Sequence, residues 1–134
     1  MTLEQQILET CRTIAVVGIS SNPERPSYQV AEYMQRHGYR IIPVNPLETE
    51  VLGERCYARL EDVPDKIDCV DVFRRPEFVP AIADSAIAIG ARALWLQLDV
   101  VDDISIARAR AAGLAAVQDC CLLIEHRRYF QNKK

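Results

Sequence analysis

At 134 residues, 49% hydrophobic and with a net charge of −3, the chain has the length and composition of one domain with a buried core, which excludes an intrinsically disordered chain. The slight acidity excludes a broad nucleic-acid footprint, so any anion site has to be local. No apolar run approaches the roughly 20 residues that cross a bilayer, and a soluble cytoplasmic protein without membrane partners is expected.

In chain order, residues 2–11 read as a short leading helix, and the opening MTLEQQILETCR carries acidic residues and no apolar signal core. Thr13–Val17 (TIAVV) is a continuous, β-branched apolar run, the pattern of a strand buried on both faces of a parallel sheet. A helix is expected over 27–37. Pro26 and Ser27 suit its start, Val30, Ala31 and Met34 form its inward stripe, and Gly38 suits its stop. The strand over 41–45 contains Pro43, which lacks an N–H and so belongs near a sheet edge or a bend. Residues 47–66 are less regular, with a short strand near 55–58 and a helical turn near 60–63. Strands follow over 67–73 (IDCVDVF), 93–98 and 114–118, and helices over 76–90, 102–113 and 122–129. This alternation predicts the α/β class: a single doubly wound, Rossmann-like domain over 1–134, with a mainly parallel sheet of about five strands flanked by helices.

In such sheets ligands lie outside the carboxyl ends of the strands, where the strand order reverses. Four loops therefore matter: 18–27, 45–48, 73–76 and 97–102. The first, GISSNPERPS, joins Gly18, the hydroxyls of Ser20, Ser21 and Ser27, the cation of Arg25 and a helix N-terminus, a combination that suits phosphate. The alternative is a plain cap by Ser27 and a solvated Arg25. The second loop offers Asn45 and Pro46 where a nicotinamide cofactor meets a carboxylate on its ribose, so NAD is disfavoured; Asn-Pro is also an ordinary turn. The third brings Phe73, Arg74 and Arg75, which fit a base and several phosphates. A solvated basic pair is the competing reading. A basic, hydroxyl-rich crevice without a ribose carboxylate suits a nucleotide whose ribose already bears a phosphate.

The five cysteines are odd in number and form no C-x-x-C, which argues against a disulfide framework or a structural metal site. Cys120 and Cys121 are neighbours, their Cα atoms about 3.8 Å apart across a trans peptide, closer than the usual ~4.4–6.8 Å of a bridge. Reduced thiols are expected.

The segments VVGISSNPERPS (16–27), GYRIIPVNP (38–46), VDVFRRP (70–76), LWLQL (94–98) and IEHRR (124–128), in this order from residue 13 to residue 129, resemble the small CoA-binding proteins with a Rossmann-type domain, akin to the nucleotide-binding domain of the succinyl-CoA synthetase α subunit. The resemblance implies coenzyme A as the ligand, whose ribose bears a 3′-phosphate. It places Gly18, Ser20 and Ser21 in the pyrophosphate loop, with Arg25 as its basic member and Ser27 at the helix start. Asn45 and Pro46 fall beside the adenosine, Phe73, Arg74 and Arg75 on the adenine and phosphate side, and Gln97 as a polar residue facing the crevice. One position departs: after Asp119 the family commonly has a basic residue and then Cys, and here Cys120 takes the basic place.

Related acyl-CoA synthetases pass phosphate through a histidine on a further domain, for which this chain has no room. Of its two histidines, His37 is expected at a helix end and His126 on the surface. Three readings stay open. The first is a module that binds CoA or an acyl-CoA without chemistry of its own. The second is a subunit or remnant of an acyl-CoA synthetase-type enzyme. The third is a CoA-linked thiol redox sensor acting through Cys121, against which stands a plain buried thiol.

Overall fold

Five of the apolar runs pair side by side as parallel strands. The computed structural model describes residues 1–131. It runs α1 (Leu3–Thr10), β1 (Thr13–Val17), α2 (Pro26–Arg36), β2 (Arg40–Val44), β3 (Glu50–Val51), β4 (Glu54–Arg55), β5 (Cys69–Val72), α3 (Val79–Ala88), β6 (Ala93–Leu96), α4 (Asp103–Ala111), β7 (Ala115–Val117) and α5 (Leu122–His126). The main sheet has the order β2-β1-β5-β6-β7, every pair parallel, and β3 and β4 form a small antiparallel hairpin. The winding leaves β1 towards β2, returns to β5 on the other side of β1, and then continues to β7. The reversal falls between β1 and β5.

Both faces of the sheet are covered, which is why its strands read as unbroken apolar runs. Ile14, Val16, Cys69 and Trp95 pack beneath α1, α2 and α5. Ala15, Val17, Val70, Val72, Leu94 and Leu96 pack beneath α3 and α4. The helix expected over 76–90 opens instead as a 3₁₀ turn, Pro76–Phe78, before α3. Pro80 has no N–H to return to the carbonyl four residues back, so the Pro76 carbonyl is taken by the Val79 N–H in the tighter pattern.

Pro43 sits in β2, at the edge of the sheet. Its carbonyl points away from β1 and accepts the Tyr57 N–H at 3.0 Å. The N–H that proline lacks would point the same outward way, so the β1–β2 ladder loses nothing. Tyr57 also accepts the Asn45 N–H at 2.8 Å. The irregular segment 55–58 thus lies along the sheet edge.

His126 corrects the surface placement expected of it. It is 7% exposed, where α5 docks on α2. Its Nδ1 lies 2.9 Å from the Tyr33 hydroxyl, and the rings of His37, Tyr39 and Phe130 surround it at 5.0, 5.8 and 5.0 Å between centroids. The helical period of residues 122–129 turns this ring inwards while its neighbours Arg127 and Arg128 stay exposed. Burial, followed by the nearby His37, lowers the pKa of His126 below the ordinary histidine value. The unfolded chain therefore binds a proton more readily than the folded one. Stability should be full above the unfolded value of about 6.5 and fall as the pH drops below it. Melting curves at pH 7.5 and pH 5.0 should show this fall in the native protein and a smaller one in His126→Asn.

Candidate functional site

The reversal of winding brings the loops after β1 and β5 into contact. The Phe73 N–H donates to the Val17 carbonyl at 2.9 Å, and the Gly18 N–H donates to the Val44 carbonyl at 2.9 Å. Gly18 has φ +89°, and a Cβ on it would lie 2.5 Å from the Phe73 carbonyl oxygen and 2.8 Å from Arg74 Cδ. The sequence places Gly18 in a loop that suits phosphate. In the structure its missing side chain is first required by the neighbouring loop.

The first loop holds itself in shape with its own hydroxyls. The Ser27 Oγ accepts the Ser20 N–H at 3.0 Å, the Ser20 Oγ accepts the Asn22 N–H at 3.0 Å, and the Glu48 carboxylate accepts the Ser21 N–H at 3.0 Å. Ser27 is buried in the first turn of α2, whose cap position is Arg25. A hydroxyl that accepts from the backbone still has its proton to donate. The amides of Ser27 and Tyr28, at the start of α2, have no intrahelical acceptor. Asn45 ties the second loop to the first: its Nδ2 donates to the Ile19 carbonyl at 2.8 Å, and its Oδ1 accepts the Leu47 N–H at 2.9 Å. It thus builds the turn expected of Asn-Pro and also fixes loop 18–27.

Two cavities of about 350 Å³ each open on either side of the Gly18–Phe73 contact. One is polar and lined by Gly18, Ser20, Arg25, Pro26, Ser27 and Phe73. The other is apolar, with Val17, Val44, Pro46, Leu60, Phe78 and Ile82 among its walls and Arg59 and Arg74 beside them. The sequence reading missed the second cavity, because its outer wall comes from the irregular stretch 58–61 and the outer face of α3. The paired arginines separate. Arg74 is half-buried, with its guanidinium 4.1 Å from the Phe78 ring centroid, and no carboxylate pairs with it or with Arg25 among the described residues. Arg75 is exposed and bound to Glu77 at 3.2 Å, a pair of the solvated kind.

Gln97 sits apart from both cavities. It is 3% exposed, and its Nε2 donates to Asp71 Oδ1 at 2.7 Å. Asp71 is fully buried in β5, and its Oδ2 has no partner among the described residues. Burial raises its pKa to about 8, against the opposing Gln97 bond, so the carboxyl is neutral at pH 7. The signal for it was the second of the two aspartates in IDCVDVF, which falls between Val70 and Val72 within the strand. Burial also pushes the Cys120 and Cys121 thiols up, away from the thiolate form that reacts. No group of three His, Cys, Asp or Glu residues is placed to hold a metal among the described residues.

The fold and this edge define an α/β domain of the nucleotide-binding type. The chain belongs to the family described as CoA binding domain, whose pattern matches residues 12–127. It is 36% identical over 122 residues to the uncharacterized protein YneT of Bacillus subtilis, covering 91% of this chain and 90% of that one. A solved structure from Pyrococcus horikoshii superposes with a TM-score of 0.91 at 38% identity, covering 96% of this chain and 92% of that one. The ADP-forming acetate–CoA ligase II of Archaeoglobus fulgidus is 27% identical over 73 residues, 53% of this chain and 11% of the ligase. The domain is thus related to acyl-CoA synthetases whose full length far exceeds it. No helix among the described residues is long and apolar enough to cross a membrane.

Two substitutions probe this edge without any ligand. Gly18→Ala should destabilise the fold by about 1–2 kcal/mol or more, from the left-handed backbone and the clash with the Phe73 carbonyl; denaturant titration measures it. Asp71 holds a proton that its unfolded form, with a pKa of about 3.9, gives up. Its contribution is full below that value and is lost as the pH rises towards 8, a difference on the order of a few kcal/mol. Asp71→Asn should therefore melt close to the native protein at pH 4 and above it at pH 8.5.

Proposed function

We propose that the chain binds coenzyme A or an acyl-CoA through its 3′-phospho-ADP part at the carboxyl edge of the sheet, as a cytoplasmic binding module without chemistry of its own. The observation that carries this reading is the pair of back-to-back cavities at the switch point. The polar one suits the pyrophosphate, with the Ser20 and Ser27 hydroxyls, the Ser27 and Tyr28 amides and Arg25 around it. The apolar one suits the adenine, between Pro46, Leu60 and Ile82. Arg74 stands between them and suits the ribose 3′-phosphate. Asn45 contributes by holding the two loops together, and Arg75 adds charge at the rim. Gln97 supports the edge from beneath. Membership of the CoA binding domain family agrees with this assignment.

Neither histidine meets these cavities, and the raised thiols give no support to a redox role for Cys121. The acetate–CoA ligase relatives keep open a place for this domain as one part of a larger catalytic assembly.

Calorimetry with CoA, dephospho-CoA and NAD tests the ligand; CoA should bind most tightly. Arg74→Ala should weaken CoA by about tenfold or more, since a charge-assisted hydrogen bond is worth about 1.5–3 kcal/mol, and should narrow the gap between CoA and dephospho-CoA. Equal affinities for CoA and dephospho-CoA in the native protein would remove the 3′-phosphate from this account.

A further inference from the structure

Large apolar side chains are unevenly placed on this surface. The exposed ones among the described residues are Met1, Leu47, Leu98, Val101, Ile104 and Ile124. Four of these, at 51%, 44%, 73% and 44% exposure in the order Leu98, Val101, Ile104, Ile124, come from the loop after β6 and the first turns of α4 and α5. Hydrogen bonds draw these segments into one corner. The Asp99 N–H donates to Asp119 Oδ1 at 2.9 Å, the Asp102 N–H to Gln118 Oε1 at 2.9 Å, and Gln118 Nε2 to Asp103 Oδ1 at 2.7 Å. Asp99 and Asp119 both take positive φ, 67° and 57°, the left-handed conformation that aspartate adopts more readily than most side chains in tight turns. Four exposed apolar side chains on segments tied together in this way offer a surface for an apolar ligand.

The charge along the edge says which part of a ligand belongs there. In the loops after β1, β2, β4 and β5 the carboxylates Glu24, Glu48, Glu61, Asp62 and Glu77 accompany the arginines, and Arg59 and Arg75 are ion-paired, but no carboxylate pairs with Arg25 or Arg74 among the described residues. Asp99, Asp102, Asp103 and Asp119, by contrast, follow β6 and β7 with no Lys or Arg in 97–102 or 118–121. A phosphate is drawn to the first half and repelled from the second. An elongated ligand held by its phosphates at the switch point can extend only an uncharged tail over β6 and β7. Strands lie about 4.8 Å apart, so the corner begins one to two strand positions from Arg74. The pantetheine arm of CoA is such an extension, and it ends in the group that carries an acyl chain.

We infer that this edge takes an acyl-CoA with an apolar acyl chain of several carbons in preference to free CoA, and that Leu98, Val101 and Ile124 seat the chain. The inference rests on the CoA reading above and names the substrate class of that same site. A fully buried methylene is worth about a fourfold gain in affinity. A shallow seat that covers two of the six extra methylenes of octanoyl-CoA should make it roughly tenfold tighter than acetyl-CoA.

Calorimetry of the native protein with CoA, acetyl-CoA and octanoyl-CoA is the test, repeated on Leu98→Ser/Val101→Ser. The expected result is a gain with chain length in the native protein and a ratio of octanoyl-CoA to acetyl-CoA affinity that collapses towards one in the double variant. Equal affinity for all three forms in the native protein overturns the inference and leaves the CoA reading standing. A gain that persists in a double variant with a native melting curve overturns the placement of the chain. Failure of every form to bind overturns both. A ligand-free dimer in sedimentation that the double variant breaks assigns the corner to a second copy of the chain and overturns the inference.

Discussion

The carbonyl of Phe73 lies where a side chain on residue 18 would be, and the carboxyl edge is organised around that contact. β1 and β5 run in register to their last pair, Val17 and Val72. The next residues must then separate, one chain turning towards β2 and the other towards β6. Gly18 lets them stay in touch one residue longer, with its N–H bound to Val44 on one side and its open face against Phe73 and Arg74 on the other. That closeness sets Arg74 against the first loop and leaves a cavity on either side. A bulkier residue would splay the loops and merge the two spaces into a shallow groove. The single glycine thus does in this sheet what a glycine-rich turn does elsewhere, with the partner being the protein's own backbone.

Much of this architecture is legible in the sequence because burial on two faces leaves a simple trace. TIAVV and ALWL are unbroken apolar runs and IDCVDVF is a largely apolar one, and only a sheet sandwiched between helices calls for several of them. Pro43 even indicates its strand's place at the edge. What escaped has physical reasons as well. His126 sits in a polar stretch, and its inward turn follows from the helical period over a short final helix. The apolar cavity draws its outer wall from 58–61, where no period exists to read. Asn45 and Glu48 carry hydrogen bonds that hold the second loop to the first, and such long-range partners leave no mark in local composition. Arg74 and Arg75 are adjacent and identical in type, yet one is half-buried against Phe78 and the other is paired with Glu77 in solvent.

The protein's net charge conceals a strong local order. An overall excess of carboxylates coexists with Arg25 and Arg74, which no carboxylate pairs among the described residues, over β1 and β5, because the crossovers deliver the loops of the two half-sheets to opposite ends of one surface. The buried, neutral Asp71 and its Gln97 partner lie between these halves. Low-dielectric surroundings strengthen this bond and also make the unpartnered Oδ2 costly. The interior beneath the middle of the edge is therefore polar and uncharged.

The segment that follows the hairpin also decides how this sheet meets other proteins. An unpaired edge strand is a template on which a foreign strand can grow. Along β2 the Tyr57 N–H and carbonyl take up the Pro43 carbonyl and the Asn45 N–H, and Pro43 itself presents no outward N–H. At the far side β7 is only three residues long. Sheet extension is thus blocked at one margin by a chain already bound there and discouraged at the other by brevity. Assembly, where it occurs, has to proceed through side-chain surfaces, and a lesion that lifted residues 55–58 from β2 would expose the molecule to aggregation before it unfolded its core.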